Sequence, residues 1–173
     1  SYRIWVVNRT LYIPELMQIQ FFGAARTVTG SKHLITTEKG TKILLDCGLF
    51  QGINTDEYNQ EFGFRPSEVD YLILSHAHID HSGLIPRLVK QGFTGPIYCT
   101  DATADLCEIM LYDSAYIQEK DVKRINERRI RQGRATLDQL YGPDDVGQAL
   151  SQIRTVPYGR PFTLGNEVEV LFT

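Results

Sequence analysis

A short apolar run followed at once by polar residues constrains the fold of this chain most strongly. The run DYLIL, residues 70–74, is almost wholly apolar and has the length of a buried central strand. Residues 82–92, SGLIPRLVKQG, have a serine at the start, apolar residues at helical spacing and a closing glycine, which predicts a short helix. A strand that leads so closely into a helix is typical of an α/β protein.

The flanking segments have the same mixed character. QIQFF, KHLITT and TKILLD predict strands, the last two joined by a hairpin at EKG. One or two helices are expected between residues 102 and 132, and another in GPDDVGQALSQI, before a closing hairpin around LGNE. We expect residues 18–173 to form one domain portion. Residues 1–17 read differently, and we leave open whether they are an upstream extension, sequence added for expression, or an edge strand.

The charge of the chain is unevenly distributed. Eighteen Lys and Arg against 21 Asp and Glu give a net charge of −3, which argues against a surface coated with basic residues for binding polyanions. Residues 118–134 nevertheless hold seven basic and three acidic residues. Such a run is commonly a solvated helix face with ion pairs such as Glu127 to Arg131, and contact with RNA is the alternative. The aromatics Tyr112, Tyr116 and Tyr141 are expected to pack between helices, and stacking on RNA bases is the alternative.

The cysteines and the apolar segments bear on the cellular compartment. Cys47, Cys99 and Cys107 are odd in number and irregular in spacing, so we interpret them as reduced thiols in the core. No run approaches the roughly 20 apolar residues of a membrane helix, and the N-terminus lacks the pattern of a secretory signal. We therefore expect a cytoplasmic protein with no membrane partner.

A histidine cluster follows the predicted central strand. His76, His78 and His81 are three of the four histidines of the chain, and Asp80 lies among them. The carboxyl end of a strand is where α/β proteins tend to bind their ligands. Imidazole nitrogens and carboxylate oxygens are ligands that Zn²⁺ accepts. The pattern H-x-H-x-D-H therefore predicts two adjacent metal positions, in preference to a merely polar loop.

This motif resembles the signature of the metallo-β-lactamase fold family. TKILLDCG is similar to the first motif of that family, which would make Asp46 an acidic residue that supports the metal site. Three further blocks resemble the β-CASP branch of RNA-processing nucleases, over a span from about residue 18 to the C-terminus. They are FFGAARTVTGSKHLI with ILLDCGLFQG, SHAHIDHSGLIPRLVKQGFTGPIYCTDATADL, and DSAYIQEKD.

The resemblance implies a fold and a chemistry. The fold would be the N-terminal half of a four-layer αββα sandwich, with a mixed sheet and flanking helices. His76 and His78 would hold one zinc ion, and Asp80 and His81 the other. Water acidified by both ions would attack the phosphorus of an RNA phosphodiester, with Asp80 and Asp46 as the catalytic carboxylates.

The resemblance also implies ligands that this sequence does not contain. The family uses a third histidine downstream, but no histidine follows His81, and His33 precedes the first motif. We therefore expect the chain to be inactive, or nearly so, by itself. Two alternatives stay open: a zinc hydrolase of small thioesters, esters or lactams, and a non-catalytic module for RNA binding or assembly. A second copy of the chain, as in a homodimer, is a further candidate partner.

Overall fold

The computed structural model describes residues 17–25, 27–52 and 57–173. The strands are β1 (Gln18–Gly23), β2 (Lys32–Thr36), β3 (Lys42–Leu45), β4 (Tyr71–Ile73), β5 (Ile97–Cys99), β6 (Ile153–Thr155), β7 (Phe162–Leu164) and β8 (Val168–Val170). The helices are α1 (Ile79–Ser82), α2 (Ile85–Lys90), α3 (Asp101–Arg131) and α4 (Pro143–Ser151). Two single 3₁₀ turns, Glu57–Asn59 and Pro66–Glu68, lie between β3 and β4.

Six of the strands form one mixed sheet in the order β1-β2-β3-β4-β5-β6. The pairs β1 with β2 and β2 with β3 are antiparallel, whereas β3 through β6 are parallel to one another. In the β3 and β4 register Leu44 pairs with Leu72 and Leu45 with Ile73. The parallel strands β3 and β4 therefore end side by side, and the residues that follow them meet at one edge of the sheet.

The core lies between this sheet and the helices. Leu44, Leu72 and Ile97 form one buried cluster with residues of the helices, among them Leu88 and Leu111. The separate hairpin of β7 and β8 contacts residues of the opposite sheet face. The Tyr98 and Phe162 rings lie 5.0 Å apart between centroids, and the Thr37 hydroxyl donates to Glu167 at 2.8 Å. The predicted mixed sheet with flanking helices is thus confirmed, and the described residues contain two strands of a second sheet.

The stretch between residues 102 and 132 is a single 31-residue helix, α3. The Thr100 side chain caps its start by accepting from the Thr103 backbone amide. Its buried residues are Thr103, Cys107, Leu111 and Ala115, which follow one another at intervals of four. The large apolar residues Leu106, Ile109, Ile117 and Ile125 are exposed. The helix buries the row formed by Leu111 and three smaller residues, so these larger side chains lie on other faces.

The other expectations from the sequence have different outcomes. All three cysteines are buried and unpaired, as predicted. The prediction for residues 1–17 lies outside the described residues except for Met17, which is exposed just before β1. Among the described residues no helix combines the length and the apolar character needed to cross a membrane.

Candidate metal centre

The four predicted ligands lie together where β4 leads into α1. The His76 Nε2 atom is 3.1 Å from His78 Nδ1, and His81 Nε2 is 3.6 Å from an Asp80 carboxylate oxygen. The His76 and His81 rings are 4.0 Å apart between centroids, which joins the two pairs into one group. The strand end and the first turn of α1 thus gather the side chains that the sequence motif predicts.

The distances within each pair fit ligands of a shared metal ion. Two atoms that bind one tetrahedral zinc at about 2.0–2.1 Å lie roughly 3.3 Å from each other. The two pairs, at 3.1 and 3.6 Å, are close to that separation. Throughout the described part of the chain, however, no set of three or more His, Cys, Asp or Glu side chains is arranged to hold a metal ion. The described residues thus bring the donors together only in pairs, His76 with His78 and Asp80 with His81.

Asp46 supports the group from the end of β3. Its carboxylate is buried and accepts hydrogen bonds from the Ser75 backbone amide at 2.8 Å, the Ser75 hydroxyl at 2.9 Å and His81 Nδ1 at 2.7 Å. The backbone of Asp46 has φ of 60°, a left-handed conformation that non-glycine residues rarely adopt. Because such a conformation costs free energy, the surrounding contacts must hold it in place.

These hydrogen bonds determine which ring nitrogen carries the proton in His76 and in His81. Since the Ser75 hydroxyl donates to Asp46, its oxygen accepts from Nδ1 of His76, 3.0 Å away. His81 likewise donates from Nδ1 to Asp46. In both rings Nε2 then carries the lone pair that a metal requires. Ser75 was missed in the sequence analysis, although a hydroxyl directly before the first histidine was a visible signal.

The environment of His76 favours its neutral form. Burial lowers its pKa first, and the neighbouring His81 and His78 lower it further, against the opposing effect of Asp46 and Asp80. A lowered pKa keeps the imidazole neutral near pH 7. Neutral imidazole is the form that binds metal ions.

A backbone ladder holds the ligand turn in place. The segment after Asp46 runs beside α1, where the Cys47 amide donates to the His81 carbonyl at 2.7 Å and the Leu49 amide donates to the Ile79 carbonyl at 2.9 Å. A Cβ atom added to Gly48 would lie 1.7 Å from the Asp80 carbonyl oxygen. Only glycine fits at this close approach, a requirement that the sequence analysis did not identify.

A buried lysine lies beneath this ladder. The Lys32 ammonium donates to the Gly48 carbonyl at 2.9 Å and lies 4.1 Å from the centre of the Phe50 ring. Burial lowers the pKa of Lys32 to about 8. The neighbouring Cys47 is wholly buried, which raises its pKa to about 12 and leaves it a neutral thiol instead of a metal-binding thiolate. The contacts of Lys32 with the Gly48 carbonyl and with the Phe50 ring could not be inferred from the local sequence.

Other candidates from the sequence lie outside this group. His33 is on β2, where its ring meets Phe21 edge-on at 5.1 Å between centroids. Tyr141 is buried and hydrogen-bonded to Ser114, as expected of a packing residue. Tyr112 is 39% exposed but places its hydroxyl near Gly147 of α4, which agrees with packing between helices, whereas Tyr116 is 54% exposed and the prediction is wrong for it.

The basic stretch also differs from its predicted pairing. Arg131 Nε donates to the backbone carbonyl of Glu127 at 3.2 Å, not to the Glu127 side chain. Among the described residues, the ion pair within this stretch joins Asp121 and Arg124 at 3.1 Å. Most of its positive charge is therefore not neutralised by neighbouring carboxylates.

The sequence of the chain matches one protein-family model and several known proteins. A family model described as the Metallo-beta-lactamase superfamily matches residues 29–153. The chain is 41% identical over 149 residues to Ribonuclease TTHA0252 of Thermus thermophilus, which covers 86% of this chain and 30% of that protein. It is 36% identical over 122 residues to the transcription termination factor FttA of a Lokiarchaeum, covering 66% of this chain and 19% of that protein.

Further relatives give the same picture. The chain is 33% identical over 116 residues to the transcription termination factor FttA of Methanosarcina mazei, covering 64% of this chain and 18% of that protein. The chain thus spans less than a third of the length of these curated relatives.

Proposed function

Because the chain belongs to the metallo-beta-lactamase superfamily, as its motifs predict, we propose that it is part of a zinc-dependent hydrolase of RNA phosphodiester bonds, of the β-CASP type. The observation that carries this proposal is the pairing of donors at the ligand turn. His76 with His78, and Asp80 with His81, stand at separations that suit two neighbouring divalent cations.

Each residue of the group has a distinct proposed role. His76 and His78 hold one zinc ion, and Asp80 and His81 hold the other. Asp46 is a positioning residue, because it orients His81 directly and His76 through Ser75. Asp80 also accepts a hydrogen bond from the attacking water, which aims the water at phosphorus. When bound, zinc ions acidify water and neutralise the negative charge that develops on the phosphoryl group.

The choice of RNA as the substrate draws on the relatives. One relative is named a ribonuclease and others are named transcription termination factors, and the motifs of this chain resemble the β-CASP branch. A zinc hydrolase of small thioesters, esters or lactams could use the same donors. A non-catalytic RNA-binding module would not need these donors to be arranged in pairs.

A substrate panel with metal analysis tests the proposal. The full-length protein is assayed on RNA, a thioester and a cephalosporin, with zinc content measured in parallel. We expect about two zinc ions per domain and cleavage of RNA, both lost in His76→Ala. His33→Ala is the matched control, since His33 lies outside the ligand group. Cleavage of the thioester or the lactam but not RNA would contradict the proposed substrate, and RNA binding unaffected by metal removal without any cleavage would favour the module.

The 173-residue chain alone is expected to cleave RNA very slowly. Its described residues supply two ligands to each metal position, and zinc sites that activate water use three protein ligands. Vigorous, chelator-sensitive cleavage by the purified chain would show that this ligand count is wrong.

A further inference from the structure

The longest helix extends well beyond the core that supports it. Ala115 is the last buried residue of α3, and the helix continues to Arg131. No residue among 116–131 is buried. The second half of α3 has only a half-buried row, Gln118, Val122, Asn126 and Arg129, of which Asn126 and Arg129 bond to the backbone of the segment that follows the helix. Its remaining faces are exposed.

One face of this extension combines aromatic and charged side chains. Residues at intervals of three or four lie on the same face of a helix. Such a row is formed by exposed residues, although the Tyr112 hydroxyl also lies near Gly147 of α4: Tyr112, Tyr116, Lys120, Lys123, Glu127 and Arg131, here called the α3 stripe. Two aromatic rings, three cations and one carboxylate thus share a single solvent-facing surface.

The cations of the α3 stripe have no carboxylate partners. Within the described residues no ion pair involves Lys120, Lys123 or Arg131. The Lys120 ammonium lies 4.1 Å from the centre of the Tyr116 ring, and Arg131 Nε binds a backbone carbonyl. Their charge is available to an external anion, although Glu127 lies within the α3 stripe and the exposed Glu119 lies one helical turn before Lys123.

We propose that the α3 stripe is a binding surface for single-stranded RNA, which holds the strand at a distance from the metal centre. Aromatic faces on which bases stack, next to cations that contact phosphates, are the combination by which proteins bind single strands without reading their sequence. Arginine and lysine supply the phosphate contacts, and Tyr112 and Tyr116 supply the stacking surface. This inference rests on the proposed function for its substrate class.

The distance between the α3 stripe and the proposed metal centre determines how long an RNA must be to contact both. Helix α1, which carries His81, contacts α3, and Cys107 of α3 lies beside Ser82, the residue that directly follows His81. Lys120 and Arg131 are 13 and 24 residues further along the helix, or about 20 and 36 Å at a rise of 1.5 Å per residue. A strand must therefore span several nucleotides to reach both places, so the α3 stripe matters for long RNA and not for a dinucleotide.

Salt-dependent binding tests the phosphate contacts. The probe is a labelled oligouridylate of about 12 nucleotides, a length within the usual range for single-strand sites. Binding to the 173-residue chain is measured with a chelator present, so that hydrolysis plays no part. The variant Lys120→Gln, Lys123→Gln, Arg131→Gln should lower the slope of log affinity against log salt by about 2 in magnitude, since each phosphate contact contributes about 0.7.

A matched variant controls for net charge. Lys39→Gln, Arg65→Gln, Arg160→Gln removes the same three charges from exposed positions outside α3. This control should keep the slope of the unmodified chain. Equal slopes for the two triple variants would overturn the proposal, as would displacement of the RNA by polyglutamate at the same charge concentration, which would indicate an acidic protein as partner.

Replacing an aromatic residue tests the stacking contacts separately. Tyr116→Leu should weaken oligouridylate binding about fivefold or more while leaving the salt slope unchanged, because loss of a stacked base removes no phosphate contact. Unchanged affinity would contradict a stacking role for this ring.

Cleavage separates this inference from the proposed function. In the full-length protein, the α3 triple variant should cleave long RNA less efficiently and a dinucleotide as well as the unmodified protein does. If neither substrate is cleaved by any variant, the proposed function fails, while the binding results still decide the role of the α3 stripe.

Discussion

Asp46 connects more of the metal centre than any of the four ligands does. Its carboxylate receives three hydrogen bonds, from two atoms of Ser75 and from His81, while its backbone adopts a left-handed conformation. Two of those bonds determine which nitrogen of His76 and of His81 carries a proton. A single carboxylate therefore sets the tautomer of one histidine in each of the two proposed metal positions.

Replacing Asp46 with asparagine should weaken metal binding without removing a ligand. The amide nitrogen of Asn donates, so it opposes the donors of Ser75 and His81 and favours the wrong imidazole tautomer. We expect Asp46→Asn to lower zinc affinity about 10- to 100-fold, measured by competition with a chromophoric chelator. Asp70→Asn is the control, because Asp70 accepts from the Lys42 amide and does not contact the group. An unchanged zinc affinity in Asp46→Asn would rule out the positioning role.

The buried Lys32 should make stability depend on pH in a defined window. Its pKa is about 8 in the folded chain and 10.5 when exposed, so between these values the unfolded chain binds more protons. Stability then rises with pH across this window, because the cost of burying the charge disappears as Lys32 loses its proton. Below pH 8 that cost is present in full.

The Lys32→Met variant checks this expectation. Urea unfolding at pH 7.5 and at pH 10 should show the unmodified chain gaining roughly 2 kcal/mol relative to the variant. Lys39→Met serves as the control, since the Lys39 side chain is largely exposed and should show no such difference. If the free energy of unfolding changes equally with pH in Lys32→Met and in the unmodified chain, the lysine is not both charged and buried at neutral pH.

At the level of elements, the sequence predicts the β4 to α1 turn better than it predicts α3. A continuous apolar strand and a closely spaced ligand motif are local signals, and the structure follows them. On α3 large apolar residues lie on more than one face, and the helix buries the row of Leu111 with the smaller Thr103, Cys107 and Ala115. Periodicity alone does not choose this row, because the closeness of neighbouring elements decides which row is covered.

The contacts between elements were the least predictable part of the site. Ser75 acts on Asp46, 29 residues away, and Lys32 acts on Gly48, 16 residues away. Such partners depend on the register of β3 against β4 and on the path of the following loop. No local pattern encodes either of these, so the ligands were predicted and their supports, except Asp46, were not.

The contact between Gly48 and α1 should not tolerate a side chain. The Cβ of alanine would meet the backbone oxygen of Asp80, which cannot move without displacing the ligand turn. We expect Gly48→Ala to lower the free energy of unfolding by about 2 kcal/mol or more and to weaken zinc binding.

A second glycine provides the comparison for Gly48. In Gly147→Ala on α4, the new Cβ would lie 3.3 Å from the Tyr112 hydroxyl, the end of an exposed side chain that can yield. Because alanine favours a helix, this variant should be more stable by about 0.5–1 kcal/mol. Urea unfolding of both variants checks the pair, and equal effects would indicate that Gly48 has room for a Cβ after all.

For the whole molecule, metal binding should appear as added stability. A metal that binds only the folded chain raises its unfolding free energy by about 2.7 kcal/mol at a free concentration 100 times the dissociation constant. Thermal unfolding should therefore shift upward with zinc and return with a chelator. His76→Ala should lose the shift and His33→Ala should retain it. A zinc-induced shift of equal size in His76→Ala would place the bound metal elsewhere.

The arrangement of the sheet explains why this part of the chain can present a preformed ligand group. Parallel β3 and β4 end side by side, which brings Asp46 beneath the histidines of the following turn. The helices cover one face of the sheet, and residues of the other face meet the β7 and β8 hairpin. Both faces therefore contribute to holding one edge of the sheet at which the polar residues converge.

The backbone ladder beside α1 has a consequence for the internal motions of the domain. Amide protons that bond to carbonyls of the ligand turn, such as those of Cys47 and Leu49, can exchange with deuterium only when the turn separates from its neighbour. Their protection factors should match those of the central strands and exceed those of the outer half of α3. Motion in the ligand turn is then expected only as rotation of the imidazole and carboxylate groups, on a main chain that opens as rarely as the core itself.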